Sequence, residues 1–127
     1  AGVFTVEFFI DQAGELYLNE IAPRPHNSAH YTIEACNISQ FDAHILSITN
    51  QPLPKVYQHQ NAIMMNLLGE DLDRLGLSLY DHPDWNIHLY GKTARKPARK
   101  MGHVTILTDD INDELQRLNS TFEKVNQ

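Results

Sequence analysis

The chain has 127 residues, 42% of them hydrophobic, and carries ten basic and sixteen acidic side chains for a net charge of −6. That length allows one ordinary domain or two small pieces of a larger one, and that apolar content fills a core, which excludes wholesale disorder. No apolar run approaches the ~18–20 residues a membrane span needs, and the opening AGVFTVEFFI has no basic leader before its strand-like residues.

In chain order, VFTVEFFI at 3–10 is β-branched and aromatic and reads as a strand, DQAG at 11–14 as a turn, and ELYLNEIA at 15–22 as the returning strand of a hairpin. PRPHNS at 23–28 is irregular, because its two prolines remove backbone donors and restrict their neighbours. A short helix is expected over 28–36 and a second over 39–49, capped by Ser39, with Phe41, Ile45 and Ile48 at helical spacing. QPLP at 51–54 breaks the pattern and marks a boundary. Beyond it the sequence predicts a strand over 61–68, a short helix over 72–79, a loop at 80–84 and a half-buried strand over 85–92, with Ile87 and Leu89 alternating against His88 and Tyr90. A basic loop, a strand over 101–108 and an amphipathic helix over 111–125 complete the chain, the helix carrying Ile111, Leu115, Leu118, Phe122 and Val125 on one stripe. The composition is α+β.

Glu7 lies inside one apolar strand and Glu20 inside the next. If a four-residue turn pairs Ile10 with Glu15, Glu7 faces Leu18 and Thr5 faces Glu20, so the two glutamates are diagonal neighbours on one face, roughly 7–8 Å apart at the backbone. Two carboxylates reaching inward from there can share a divalent cation, and magnesium suits such an all-oxygen site. The alternative is that both face solvent on an exposed sheet. His26 and His30 form an i, i+4 pair, but His26 lies in a proline-bounded loop with no third ligand in evidence, which argues against zinc. The other five histidines, His44, His59, His82, His88 and His103, read as surface or packing residues, and so does Cys36, the single cysteine. One cysteine excludes an internal disulfide framework and fits a reducing cytoplasm.

The segment NEIAPRPHNSAHYTIEAC at 19–36 resembles the 5-(carboxyamino)imidazole ribonucleotide synthase family of the ATP-grasp superfamily. VEFF before it, SQFDAHILSITNQPLP after it, and HLYGK and RKMGHV near the end extend the likeness, in order, over nearly the whole chain. The resemblance implies an enzyme that uses ATP and bicarbonate to carboxylate 5-aminoimidazole ribonucleotide through carboxyphosphate. It implies a fragment holding the carboxy-terminal part of an ATP-grasp domain over 1–52 and a small β-rich domain over 53–127, inactive without the missing amino-terminal part. It assigns Glu7 and Glu20 to Mg2+, Asn19 and Glu20 to the nucleotide, and Arg24, His26 and Asn27 to bicarbonate or carboxyphosphate. On the register above, Asn19 points to the opposite face. Ala22 stands where many ATP-grasp enzymes carry a metal-binding asparagine, so no third protein ligand is assigned. The residue-level alternative is that Arg24 makes a structural ion pair and His26 caps the following turn.

Five of the ten basic residues, Lys92, Arg95, Lys96, Arg99 and Lys100, fall within KTARKPARK at 92–100, and the other 118 residues carry five basic and sixteen acidic side chains. An acidic body with one basic loop suits a small anion better than a nucleic acid, and the loop has no aromatic residue on which bases could stack. The resemblance assigns Lys92 and Arg99 to the ribonucleotide phosphate, leaving Arg95, Lys96 and Lys100 to add long-range attraction. Ala98 and Ala29 stand where glycine is common in the family. The resemblance further implies a cytoplasmic enzyme, dimeric at full length, with no membrane partner. Two other readings are another ATP-grasp ligase, such as the formate-dependent glycinamide ribonucleotide transformylase, and a non-enzymatic anion-binding module.

Overall fold

In the computed structural model, which describes residues 1–78 and 81–123, the chain divides into two compact units, Ala1–Gln58 and His59–Gln127. The first opens with the antiparallel hairpin β1 (Thr5–Ile10) and β2 (Leu16–Ala22). Its turn is one residue longer than the sequence predicts, so Ile10 pairs with Leu16 rather than Glu15. The Asp11 carboxylate organises that turn: Oδ1 accepts from the backbone N–H groups of Ala13 and Glu15, both at 2.9 Å, and Oδ2 from the Tyr17 hydroxyl at 3.2 Å. Farther along, the register shifts between Glu7 and Phe8: Phe8 still faces Leu18, but Glu7 faces Glu20, and Asn19 is the extra residue of a β-bulge. The two glutamates are therefore directly opposite each other, not diagonal. Both faces of the hairpin are apolar and open, with Phe8, Phe9, Ile10, Leu16 and Leu18 all more than half exposed.

After Ala22 the proline-bounded loop leads into a 3₁₀ turn at Asn27–Ala29, α1 (Thr32–Ala35) and α2 (Gln40–Ile48). The single helix expected over 28–36 is thus two short pieces, and Cys36 leaves in an extended conformation to bridge Gln58. Ser39 caps α2 as the sequence predicts, accepting from Asp42 N–H at 3.1 Å. The helix ends where Asn50 turns left-handed, φ +55°, and Gln51 N–H reaches back to the Leu46 carbonyl at 2.8 Å. The chain stays on this unit past QPLP: Asn37 exchanges backbone and side-chain hydrogen bonds with Tyr57 and donates to the Lys55 carbonyl.

The second unit is a three-stranded antiparallel sheet with strand order β3 (Ala62–Leu68), β5 (Lys100–Leu107), β4 (Asn86–Leu89), together with α3 (Leu72–Ser78) and α4 (Ile111–Glu123). One sheet face joins the helices in a core of Leu67, Leu75, Trp85, Val104, Ile106 and Leu118. The expected stripe of α4 is corrected at one position: Leu115 is 41% exposed, whereas Glu114 is 4% exposed. The buried carboxylate is tolerated because Trp85 Nε1 donates to it at 3.3 Å and Arg117 at 2.7 Å. Val125, placed on the same stripe, and residue 79, the expected end of α3, lie outside the described residues.

The Asp11 carboxyl is held below the usual aspartate range, chiefly by the Glu15 backbone N–H. A depressed carboxyl stabilises the fold above its unfolded pKa and ceases to do so as pH falls through its folded one. At neutral pH, Asp11→Ala is expected to speed amide exchange at Ala13 and Glu15. The unsubstituted turn should lose that protection, taken relative to the intrinsic exchange rate at each pH, only in acid, below the usual aspartate range.

Candidate functional site

The bulge brings the hairpin's polar side chains together. Asn19, placed on the opposite face by the sequence register, is re-aimed so that Nδ2 donates to Glu7 Oε2 at 3.3 Å. From the proline-bounded loop, the His26 ring comes back over the strands, with Nδ1 3.2 Å from Glu7 Oε1 and Nε2 3.9 Å from Glu20 Oε1. Glu7, Glu20 and His26 each offer a ligand atom within 4.8 Å of the others. Arg24 lies on the rim, its guanidinium 3.7 Å from Glu20 Oε1. Two facing carboxylates repel, and a guanidinium, an amide donor and an imidazole converging on them offset that cost. The same set fits a divalent cation: two hard oxygen donors, with one nitrogen beside them.

Both structural alternatives weighed for the loop are present in this geometry. Arg24 does pair with Glu20, though across an exposed surface where such a pair stabilises little. His26 does cap the 3₁₀ turn, its Nδ1 facing Ser28 N–H at 3.4 Å. As a bare nitrogen Nδ1 accepts from Ser28; as an N–H it donates to Glu7. Asn27 opens the turn, its carbonyl accepting from His30 N–H at 3.1 Å. His30 does not join His26: its Nδ1 lies 2.9 Å from Gln40 Nε2 and its ring packs on Phe41. Burial pushes the Cys36 thiol up, which keeps it protonated and unreactive.

Gln40 is a site residue that the sequence did not mark. Its amide is 7% exposed and grips the His26 backbone from both sides, Oε1 accepting from His26 N–H and Nε2 donating to the His26 carbonyl, each at 2.8 Å. A glutamine at the first position of a helix is ordinarily a surface residue, and no periodicity separates this one from the rest.

In the second unit the basic loop splits into two kinds of cation. Arg95 makes a bidentate pair with Asp73, at 2.7 and 2.8 Å, and also donates to the Gly69 carbonyl. Its charge is neutralised locally, which corrects its assignment to long-range attraction. Lys92 and Arg99 instead donate across the loop to carbonyls, Lys92 to Lys100 at 2.6 Å and Arg99 to Ala94 at 2.9 Å, and Lys92 Nζ sits 5.5 Å from the Tyr90 ring centroid. Among the described residues neither is paired with a carboxylate, so both keep their charge available to an anion. Ala98 is left-handed, φ +56°, a conformation that favours glycine, while Ala29 has no such strain.

The Phosphoribosylaminoimidazole carboxylase C-terminal domain matches residues 62–117, and the ATP-grasp domain matches residues 1–41. The N5-carboxyaminoimidazole ribonucleotide synthase of Staphylococcus epidermidis is 61% identical over 96% of the chain, and that of Staphylococcus saprophyticus is 62% identical over the same share. The chain spans about a third of the length of these curated relatives, 33% of each. Among solved structures, the Staphylococcus aureus N5-carboxyaminoimidazole synthetase complexed with ADP matches with a TM-score of 0.91 at 57% identity, over 95% of this chain and 33% of that one. The Aspergillus clavatus synthase in complex with ADP and 5-aminoimidazole ribonucleotide matches with a TM-score of 0.87 at 39% identity, over 99% of this chain and 35% of that one.

Replacing Gln40 by methionine keeps side-chain volume but leaves the His26 N–H without its partner and the His26 carbonyl with the Ala29 N–H alone, which costs about 1–3 kcal/mol where the orphaned N–H stays buried. Amide exchange at His26 is expected to accelerate at least about tenfold while the α2 amides beyond Ala43 keep their protection. Unchanged His26 exchange would show that the loop is held by other contacts.

Proposed function

Because this chain belongs to the N5-carboxyaminoimidazole ribonucleotide synthase family, we propose that it is a carboxy-terminal fragment of such an enzyme. The parent carboxylates 5-aminoimidazole ribonucleotide with ATP and bicarbonate. The observation that carries this reading is the convergence of Glu7, Glu20 and His26 in a chain of this family. The division proposed with it is 1–52 for the end of the ATP-grasp domain and 53–127 for the small β-rich domain; the matched ATP-grasp domain ends at residue 41 and the carboxylase C-terminal domain begins at 62.

Glu7 and Glu20 hold Mg2+, with Asn19 fixing the Glu7 carboxylate and, with Glu20, facing the nucleotide. When bound, the cation neutralises phosphate charge and orients the phosphoryl group. Arg24, His26 and Asn27 hold the bicarbonate from which carboxyphosphate forms. Arginine supplies a planar fork to the oxyanion, and histidine and asparagine add single donors. Donors fixed in advance on a gripped backbone stabilise charge as it develops, without reorganisation at the moment of transfer. Lys92 and Arg99 bind the ribonucleotide phosphate, which does not react, and so orient the amine that does. ATP binding draws support from relatives solved with ADP and with ATP, and the ribonucleotide from a relative solved with it. The parent proposed here is cytoplasmic and homodimeric; no described helix is long and apolar enough to cross a membrane.

In the full-length parent, Glu20→Gln removes a cation ligand at nearly constant volume, and turnover is expected to fall by roughly a hundredfold or more with little loss of fold. A variant that stays active and magnesium-dependent would rule out the ligand role. Lys92→Ala and Arg99→Ala are each expected to raise the KM for the ribonucleotide by roughly ten- to a hundred-fold, the worth of a hydrogen bond to a charged group, with ATP and bicarbonate constants little moved. Lys96→Ala is the control, since it removes a charge from the same loop without a proposed contact. Equal effects in all three variants would reduce the loop's role to its field.

A further inference from the structure

The loop that carries Lys92 and Arg99 is held from outside by the short segment between β3 and α3 and by the first turn of α3. Three separate contacts join them. The Arg95 guanidinium lies fork to fork on the Asp73 carboxylate, at 2.7 and 2.8 Å, with its Nε donating to the Gly69 carbonyl. Glu70 Oε2 accepts from Ala98 N–H at 2.9 Å, at the left-handed residue next to Arg99. The backbones themselves are in contact: a Cβ on Gly69 would lie 2.2 Å from the Lys96 carbonyl oxygen, so only glycine lets the loop settle there. The loop's own cross-links, Lys92 to Lys100 and Arg99 to Ala94, then close it on this base.

We propose that Asp73 and Arg95 are positioning residues for the ribonucleotide phosphate: their pair fixes the shape of the 92–100 loop that presents Lys92 and Arg99. This inference rests on the phosphate reading of those two cations. The pair is exposed, so its contribution to global stability is small. A bidentate fork nevertheless specifies geometry that a point charge does not. A loop ordered before the ligand arrives binds it more tightly, because less side-chain and backbone freedom is lost on binding. The Asp73 carboxyl is held below its usual range by the hydrogen bond from Arg95, in keeping with a pair that stays ionised at neutral pH.

The test is steady-state kinetics on the full-length parent with Asp73→Asn and Arg95→Lys, each alone and combined with Arg99→Ala, alongside thermal unfolding. Asp73→Asn keeps shape and removes the charge; Arg95→Lys keeps the charge and removes the fork. Each is expected to raise the ribonucleotide KM about three- to ten-fold, with kcat, the ATP constant and the unfolding midpoint nearly unchanged. In the Arg99→Ala background the same changes should cost less, because the residue through which the pair acts is gone. A wild-type KM in both single variants, while Arg99→Ala and Lys92→Ala raise it, would overturn the positioning role alone. Unmoved constants in all four would overturn the phosphate reading beneath it. Loss of the fold in both Asp73→Asn and Arg95→Lys, or effects fully additive with Arg99→Ala, would also overturn the inference by making the pair a general stabiliser.

Discussion

The first unit depends on one extra residue in a strand. Without the bulge at Asn19, the two-residue period of the hairpin would leave Glu7 and Glu20 out of register. With it, the glutamates face each other and the bulged asparagine itself bonds to one of them. Facing carboxylates are unfavourable unless something positive or polar meets them, and the loop that follows supplies it. Arg24 reaches back four residues to Glu20, and His26 folds over both carboxylates. Two prolines prevent that loop from continuing the strand or starting a helix early, and the buried Gln40 amide fixes its backbone. The site is thus a consequence of strand register, and the α2 terminus serves as its backing.

The second unit solves a related problem by different means. Its loop concentrates five cations, and like charges held close together repel. One of them, Arg95, is given up to Asp73, and that neutralised pair becomes the support on which Lys92 and Arg99 stand. Two of the five positive charges thus remain aimed across the loop at carbonyl oxygens, which an arriving phosphate can replace as acceptors. The sheet beneath is firm: Val104 and Ile106 of β5 are fully buried, and Gly102 lets β4 approach, since a Cβ there would lie 2.3 Å from the His88 carbonyl oxygen.

Much of this was legible in the sequence, for identifiable reasons. Strands, helices and their order follow from apolar periodicity, and Ser39 announces the start of α2 by its chemistry. Glu7 and Glu20 stand out because charge inside an apolar strand is costly without a purpose. The register did not follow, since a turn one residue longer and a bulge leave the apolar pattern of each strand unchanged. Glu114 was hidden for a related reason: an acid can replace leucine on a buried stripe only when donors meet it, and although Arg117 lies one turn along the same helix, the Trp85 indole comes from 29 residues away. Gln40 and the Asp73–Arg95 pair depend on partners 14 and 22 residues away, and no local pattern encodes such contacts.

The claim that matters most is that Glu7 and Glu20, set opposite each other by the bulge, jointly hold one divalent cation. Anomalous diffraction from crystals of the full-length parent, grown with an unreactive ATP analogue and manganese in place of magnesium, tests it directly. The expected result is a single strong peak within ligand distance of both carboxylates, with Asn19 still bonded to Glu7. A manganese ion held by only one of the two glutamates, or bound away from the bulge altogether, would contradict the account.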